Sequence, residues 1–236
     1  MVTVITSTKR EHLLKQISSY YIQQTVPNKE WIIVLNNNSI NLVKWQQYFE
    51  QNNDIHVFQL DETKTLGECL NFAAAKARYN RIAKWDDDDY YSPFYLVNSL
   101  QDLEKTGAEI TGKAALYIYF KYDQLLTLFR PEMCRRFLKN NRGYVAGATL
   151  VFQKKVWEQV PFRALNVGED VCFQQDCIKR GIKRYSGSYE DFVAIRYSRE
   201  HQHTWRVDEK EFKKQCKIVA VTDTFEEYVW KGGSNW

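Results

Sequence analysis

The feature that most restricts the fold is an alternation in the first 105 residues. Four short apolar runs, Val2–Ile5, Trp31–Leu35, Ile55–Leu60 and Ile82–Trp85, are separated by stretches at 9–23, 40–50 and 66–77 that read as helical. The first shows the spacing plainly, in Leu13, Leu14, Ile17, Tyr20 and Tyr21. Trp31–Leu35 is apolar at every position, and the other runs are broken only by Thr3, by His56 and Gln59, and by Lys84. Strands of that kind are covered on both faces, which predicts a parallel sheet joined by crossover helices. Ser92 and Pro93 supply a cap and a first helical position for a fourth helix, which ends before Gly107. Such sheets bind ligands at the carboxyl ends of their strands. Those ends carry Thr6-Ser7-Thr8, Asn36-Asn37-Asn38-Ser39, Asp61-Glu62-Thr63-Lys64 and Asp86-Asp87-Asp88-Asp89. The chain is therefore expected to form a polar crevice with one strongly acidic wall.

The second half is less regular. Residues 110–120, 125–129, 143–152, 182–185 and 192–197 read as strands, and 171–179 and 208–217 as helices. Residues 130–142 hold five basic side chains and are expected to form a mobile loop that orders over the site; 225–236 form an aromatic tail. No repeat or linker divides the 236 residues, so one domain is expected, with 1–105 as one half and 106–236 as the other. Aromatics reach 15%, which both a large core and a sugar or base site would absorb. Net charge is +4, with −2 on residues 1–120 and +6 on the rest. That is too mild a polarity for a nucleic-acid binder. The longest apolar run, Ala114–Phe120, is far short of a membrane span, and no signal peptide is seen. The five cysteines are scattered without CxxC spacing, which suits free thiols and a cytoplasmic location.

Three clusters could carry chemistry. Four adjacent carboxylates at a strand end repel one another unless a cation lies among them, and a hard divalent ion, Mg²⁺ or Mn²⁺, suits oxygen ligands and a substrate diphosphate. Glu169 and Asp170 follow Gly168 at a helix start, where a carboxylate acts as a cap or, facing a crevice, as a general base. His201 and His203 fall on one face of an extended segment beside Trp205, a spacing that suits a metal ligand or a surface pair.

Taken in order, these segments resemble family-2 glycosyltransferases. The N-terminal strand and turn through Arg10, the Gln24-Thr25 turn before the second strand, the helix Leu70–Ala77 and the run Asp86-Asp87-Asp88-Asp89-Tyr90-Tyr91-Ser92-Pro93 are similar to that family's first hundred residues. Gly147–Phe152 resembles its acceptor-side strand, Gly168-Glu169-Asp170 its xED motif, and His203 stands where relatives carry a C-terminal metal-binding histidine. The Gly-Glu-Asp and His-Thr-Trp pairing is similar to a bacterial branch that includes spore-maturation glycosyltransferase-like proteins.

The resemblance implies a GT-A fold: a Rossmann-like, mostly parallel sheet flanked by helices, with a smaller mixed sheet on the acceptor side. It implies an inverting, metal-dependent transfer from a nucleotide sugar, a UDP-sugar first, to a carbohydrate or other hydroxyl acceptor. By resemblance, Asp170 is the base, and Thr6, Ser7, Thr8, Arg10, Asn36, Lys64, Asp86 and Asp87 bind the donor. Asp88, Asp86 and His203 would hold Mn²⁺ or Mg²⁺. Asn36 stands where the family usually has Asp; its amide accepts or donates, which leaves the base open. Peripheral membrane contact stays open. Two other readings compete: a sugar-phosphate nucleotidyltransferase, which would want glycines that Thr6–Arg10 lacks, and a non-catalytic transferase-like binding module.

Overall fold

A computed structural model describes residues 1–139, 143–197 and 208–230. Strands β1 (Val2–Thr8), β2 (Lys29–Leu35), β3 (Ile55–Gln59) and β4 (Arg81–Lys84) alternate with helices α1 (Leu14–Ile22), α2 (Leu42–Tyr48) and α3 (Leu66–Lys76). Then come β5 (Tyr90–Tyr91), α4 (Tyr95–Thr106), β6 (Ile110–Gly112), β7 (Leu116–Phe120), β8 (Leu125–Phe129), β9 (Arg136–Leu138) and β10 (Val151–Gln153). The chain continues through α5 (Lys154–Gln159), α6 (Glu169–Lys179), β11 (Arg184–Ser186), β12 (Phe192–Arg196), α7 (Glu209–Lys214), β13 (Cys216–Val221) and α8 (Glu226–Val229).

The larger sheet has eight strands in the order β3-β2-β1-β4-β10-β6-β11-β9. β1 to β4 run parallel, as the apolar runs predict, and β10 enters antiparallel between β4 and β6. Both faces are covered. Leu14, Ile17, Trp45, Tyr95 and Leu103 pack on one, and Cys69, Leu70, Val156 and Phe173 on the other. The crossover through α1 carries the chain from β1 to β2, whereas the one through α3 returns it to β4 on the other side of β1. β1 and β4 thus flank the point where strand order reverses, the place where such sheets bind ligands.

The smaller, mixed sheet has the order β13-β8-β7-β12-β5. β7 alternates between the two cores, with Leu116, Ile118 and Phe120 against the first sheet's helices and Tyr117 and Tyr119 against Phe225 and Val229.

Several expectations are corrected. Residues 110–120 are two strands in different sheets, because the chain crosses over at Lys113–Ala115. Residues 130–139 are not a loop: a 3-10 turn at Pro131–Met133 leads into β9, which pairs antiparallel with β11. An edge strand tolerates basic residues because its outer side meets solvent; Arg136 and Phe137 are exposed and only Leu138 is buried. Ser92 does not cap α4. Its hydroxyl accepts from Phe94 N and donates to Asp191, and the helix begins one turn later. Residues 143–150 form a 3-10 turn at Gly147–Thr149 before the short β10. The segment 208–217 is helical only to Lys214, and β13 follows it.

Candidate functional site

β4 ends at Lys84, and β5 begins at Tyr90 in the other sheet, so Asp86–Asp89 make the passage between the two sheets. Tyr91 fixes that passage. Its ring stacks on Trp85 with centroids 4.0 Å apart, and its hydroxyl accepts from Asp86 N and donates to Ala148 O, both at 2.9 Å.

The four carboxylates have different surroundings. Asp87 is buried and accepts from Thr8 Oγ1 and from Arg10 Nε and Nη2. Asp89 is buried and accepts from Ile195 N at 3.0 Å; burial, then Asp88 and Asp86, push its carboxyl well above the usual range. Asp86 and Asp88, two residues apart, are the pair nearer to solvent, Asp86 with a 41% exposed side chain. Arg10 Nη1 donates to Asp88 Oδ2 at 2.8 Å. Burial opposes the Arg10 charge, and Asp87 and Asp88 outweigh it, so the guanidinium holds its proton more firmly than usual. Arg196, at the end of β12, also feels Asp88 and Asp89. Protein cations therefore supply part of the counter-charge that the acidic run demands.

Lys84 is the residue that sequence reasoning missed. It is 2% exposed, and its Nζ donates to Asp86 Oδ1 at 2.6 Å and lies 3.7 Å from Glu169 Oε1. Burial would lower its pKa, but Asp86, Glu169 and Asp170 together raise it above the ordinary lysine value. The signal for it was a lysine inside an apolar strand, two residues before Asp86 and so on the same face.

Gly168, at φ +77°, turns the chain into α6 and places Glu169 and Asp170 in its first turn, where the helix dipole favours carboxylates. Glu169 is buried, and its carboxyl is pushed up to about 7: burial raises it, Lys84 pulls it down, and Asp170 and Asp86 add to the rise. Asp170 is half-buried, and its carboxylate lies against Gly147 so closely that a Cβ there would overlap it.

The other expected donor residues are spread along the crevice. Thr8 is buried and bound to Asp87. Thr6 does not open onto the crevice: it is fully buried and accepts from Trp31 Nε1 at 3.0 Å, because alternation along β1 turns it into the core. The Ser7 hydroxyl lies at the Cys69 thiol. Asn36 is buried and its Nδ2 donates to Asp61 O at 2.8 Å. Lys64 stands exposed beyond β3 and pairs with Glu68 at 3.0 Å. Hydrogen bonds from Asn37 to Lys9 O and between Asn38 and Glu62 join the turns after β1, β2 and β3. His201 and His203 lie outside the described residues.

Among the described residues no group of three or more His, Cys, Asp or Glu side chains converges as a metal cage. Asp86 and Asp88, the two carboxylates nearer to solvent, are hard oxygen donors of the type that suits a divalent cation whose other ligands are diphosphate and water oxygens. No helix among the described residues is long and apolar enough to cross a membrane.

The family model for Glycosyl transferase family 2 matches residues 3–159. No curated protein sequence matches the chain. Among solved structures, S. aureus TarS 1-349 in complex with UDP-GlcNAc aligns at a TM-score of 0.64 and 15% identity, over 91% of this chain and 64% of that one. The mannosyltransferase PcManGT from Pyrobaculum calidifontis, in complex with GDP-Man and Mn²⁺, aligns at 0.60 and 16% identity, over 83% of this chain and 56% of that one. The chain thus spans less than two thirds of either, and shares with them the GT-A fold.

Proposed function

The chain belongs to glycosyl transferase family 2, and from that membership and the geometry of the crevice we propose that it transfers a sugar from a UDP-sugar to an acceptor hydroxyl, with inversion at the anomeric carbon. The observation that carries this reading is the approach of Asp86, beyond β4, to Glu169 and Asp170 at the start of α6, joined by the buried Lys84.

The donor lies across the carboxyl ends of β1 and β4. The uridine choice follows the UDP-GlcNAc bound by TarS; Asn36, buried and donating to Asp61 O, supports the turn beside the base rather than selecting it. Asp86 accepts from a ribose hydroxyl, as carboxylates do. Asp88 and Asp86 would hold the divalent cation, Mn²⁺ or Mg²⁺, which would offset the charge that develops on the leaving diphosphate. Asp170 takes the proton of the acceptor hydroxyl as its oxygen attacks the anomeric carbon. One bond forms to the acceptor oxygen, and the bond to the diphosphate oxygen breaks with its electron pair. A single displacement inverts the anomeric centre. Bound Mn²⁺ in the mannosyltransferase complex and the UDP-GlcNAc in the TarS complex support the cofactor and donor classes.

The test is release of the nucleotide leaving group, a nucleoside diphosphate from UDP-, GDP- and ADP-sugars and CMP from CMP-sugars, each with Mn²⁺ or Mg²⁺, for wild type and Asp170→Asn. Turnover in the variant should fall by about 10²–10⁴-fold while UDP affinity holds. Near-wild-type turnover would assign the proton to another group.

A further inference from the structure

We propose that Lys84 is a positioning residue that ties the donor-side carboxylate Asp86 to Glu169 at the start of the acceptor-side helix. The inference rests on the transferase reading above. A lysine at the end of a strand otherwise flanked by apolar packing has no reason in the fold alone. An aliphatic side chain would fill the place without the cost of burying an ammonium, which is large unless the charge is paired. Both partners of Lys84 belong to the crevice, at 2.6 Å to Asp86 and 3.7 Å to Glu169.

The two partners need it for different reasons. Asp86 is the most exposed carboxylate of the acidic run, so its side chain would otherwise be free to swing; the hydrogen bond from Lys84 Nζ fixes one oxygen and leaves the other for the donor. Glu169 is buried and would be left with an uncompensated charge. It is followed directly by Asp170, whose carboxylate sits over Gly147. Lys84 therefore sets the distance between the group that receives the donor and the turn that carries the base. Lys84 N donates to Leu150 O at 2.8 Å, which pins the lysine's own backbone to the segment after Gly147.

The experiment uses the full chain with Lys84→Met, Lys84→Arg, Glu169→Gln and the Lys84→Met/Glu169→Gln pair. Three quantities are measured: the melting temperature, UDP affinity with and without Mn²⁺, and turnover of the best donor. Lys84→Met should weaken Mn²⁺-dependent UDP binding by about 10–100-fold, in the range for residues that orient a metal's ligands, and Lys84→Arg should restore much of it. Removing both charges should recover the melting temperature, since no buried carboxylate is left unpaired, yet leave UDP affinity and turnover low. If Lys84→Met fails to fold, the double variant carries the test. A double variant that regains binding and turnover together with stability would mean that Lys84 only neutralises Glu169, and would overturn the proposal. A wild type that neither binds nor consumes any nucleotide sugar would overturn the transferase reading and this inference with it.

Discussion

Four consecutive aspartates end in unlike roles because the passage from β4 to β5 is a turn that buries Asp87 and Asp89 and leaves Asp86 and Asp88 nearer solvent. Asp87 and Asp89 are drawn inward to Thr8, Arg10 and Ile195 N, and Asp86 and Asp88 are left nearer the crevice. The Glu169 carboxyl stands at about 7 in the fold against an ordinary 4.5, so the folded protein holds that proton more tightly than the unfolded chain. The resulting stability is complete below about 4.5, shrinks as pH rises, and is lost above about 7. Its size is on the order of 3 kcal/mol. Urea midpoints measured from pH 4.5 to 7.5 should decline less steeply in Glu169→Gln than in wild type. Parallel curves would show that Glu169 does not titrate in this window.

Between elements, close approach does the positioning. The 3-10 turn Gly147–Thr149 and the first turn of α6 meet where only glycine fits, because a Cβ at 147 would overlap the Asp170 carboxylate. Gly147→Ala should push the Asp170 carboxylate aside and shift the start of α6 with it, since Asp170 Cβ as well as Oδ2 stands in the way. A misplacement near 1 Å costs about 10²-fold in rate, so turnover should drop toward that order while UDP affinity stays near wild type. Unchanged turnover would separate Asp170 from the chemistry. The contrast is Gly67, where a Cβ would strike the backbone carbonyl of Arg163. Arg163 cannot yield without moving the loop that holds the start of α3 through Leu165 O and Asn166 Oδ1.

The two sheets of the whole molecule share the acidic run, which leaves the larger sheet at β4 and enters the smaller at β5. β12 closes the same joint: it pairs with β5, and its Ile195 N donates to Asp89. Loss of the smaller sheet would release Asp89 and strip the passage of its support. We therefore expect a single cooperative unfolding transition, with far-ultraviolet circular dichroism and tryptophan fluorescence coinciding, as in one domain. UDP with Mn²⁺ should shift both probes equally. Two separated transitions would divide the chain at this joint.

The sequence by itself determined the parallel half. Runs dominated by apolar residues at Val2–Ile5, Trp31–Leu35 and Ile82–Trp85 read as strands covered on both faces, and the intervening helical spacing implies crossovers that leave polar turns at one end. These are local signals with a fixed period, and they placed Asp86–Asp89 and Gly168–Asp170 on their elements from residue order alone. Tertiary structure decided what no local period records. It inserted β10 between β4 and β6, split residues 110–120 between two sheets, and made an edge strand of a basic segment. It turned Thr6 into the core against Trp31 and brought Lys84 to Glu169 across the sequence. The reason is that strand order and the reach of a buried charge depend on which distant segments close the sheet, and the cost of leaving an ammonium or a carboxylate unpaired is felt only once they have met.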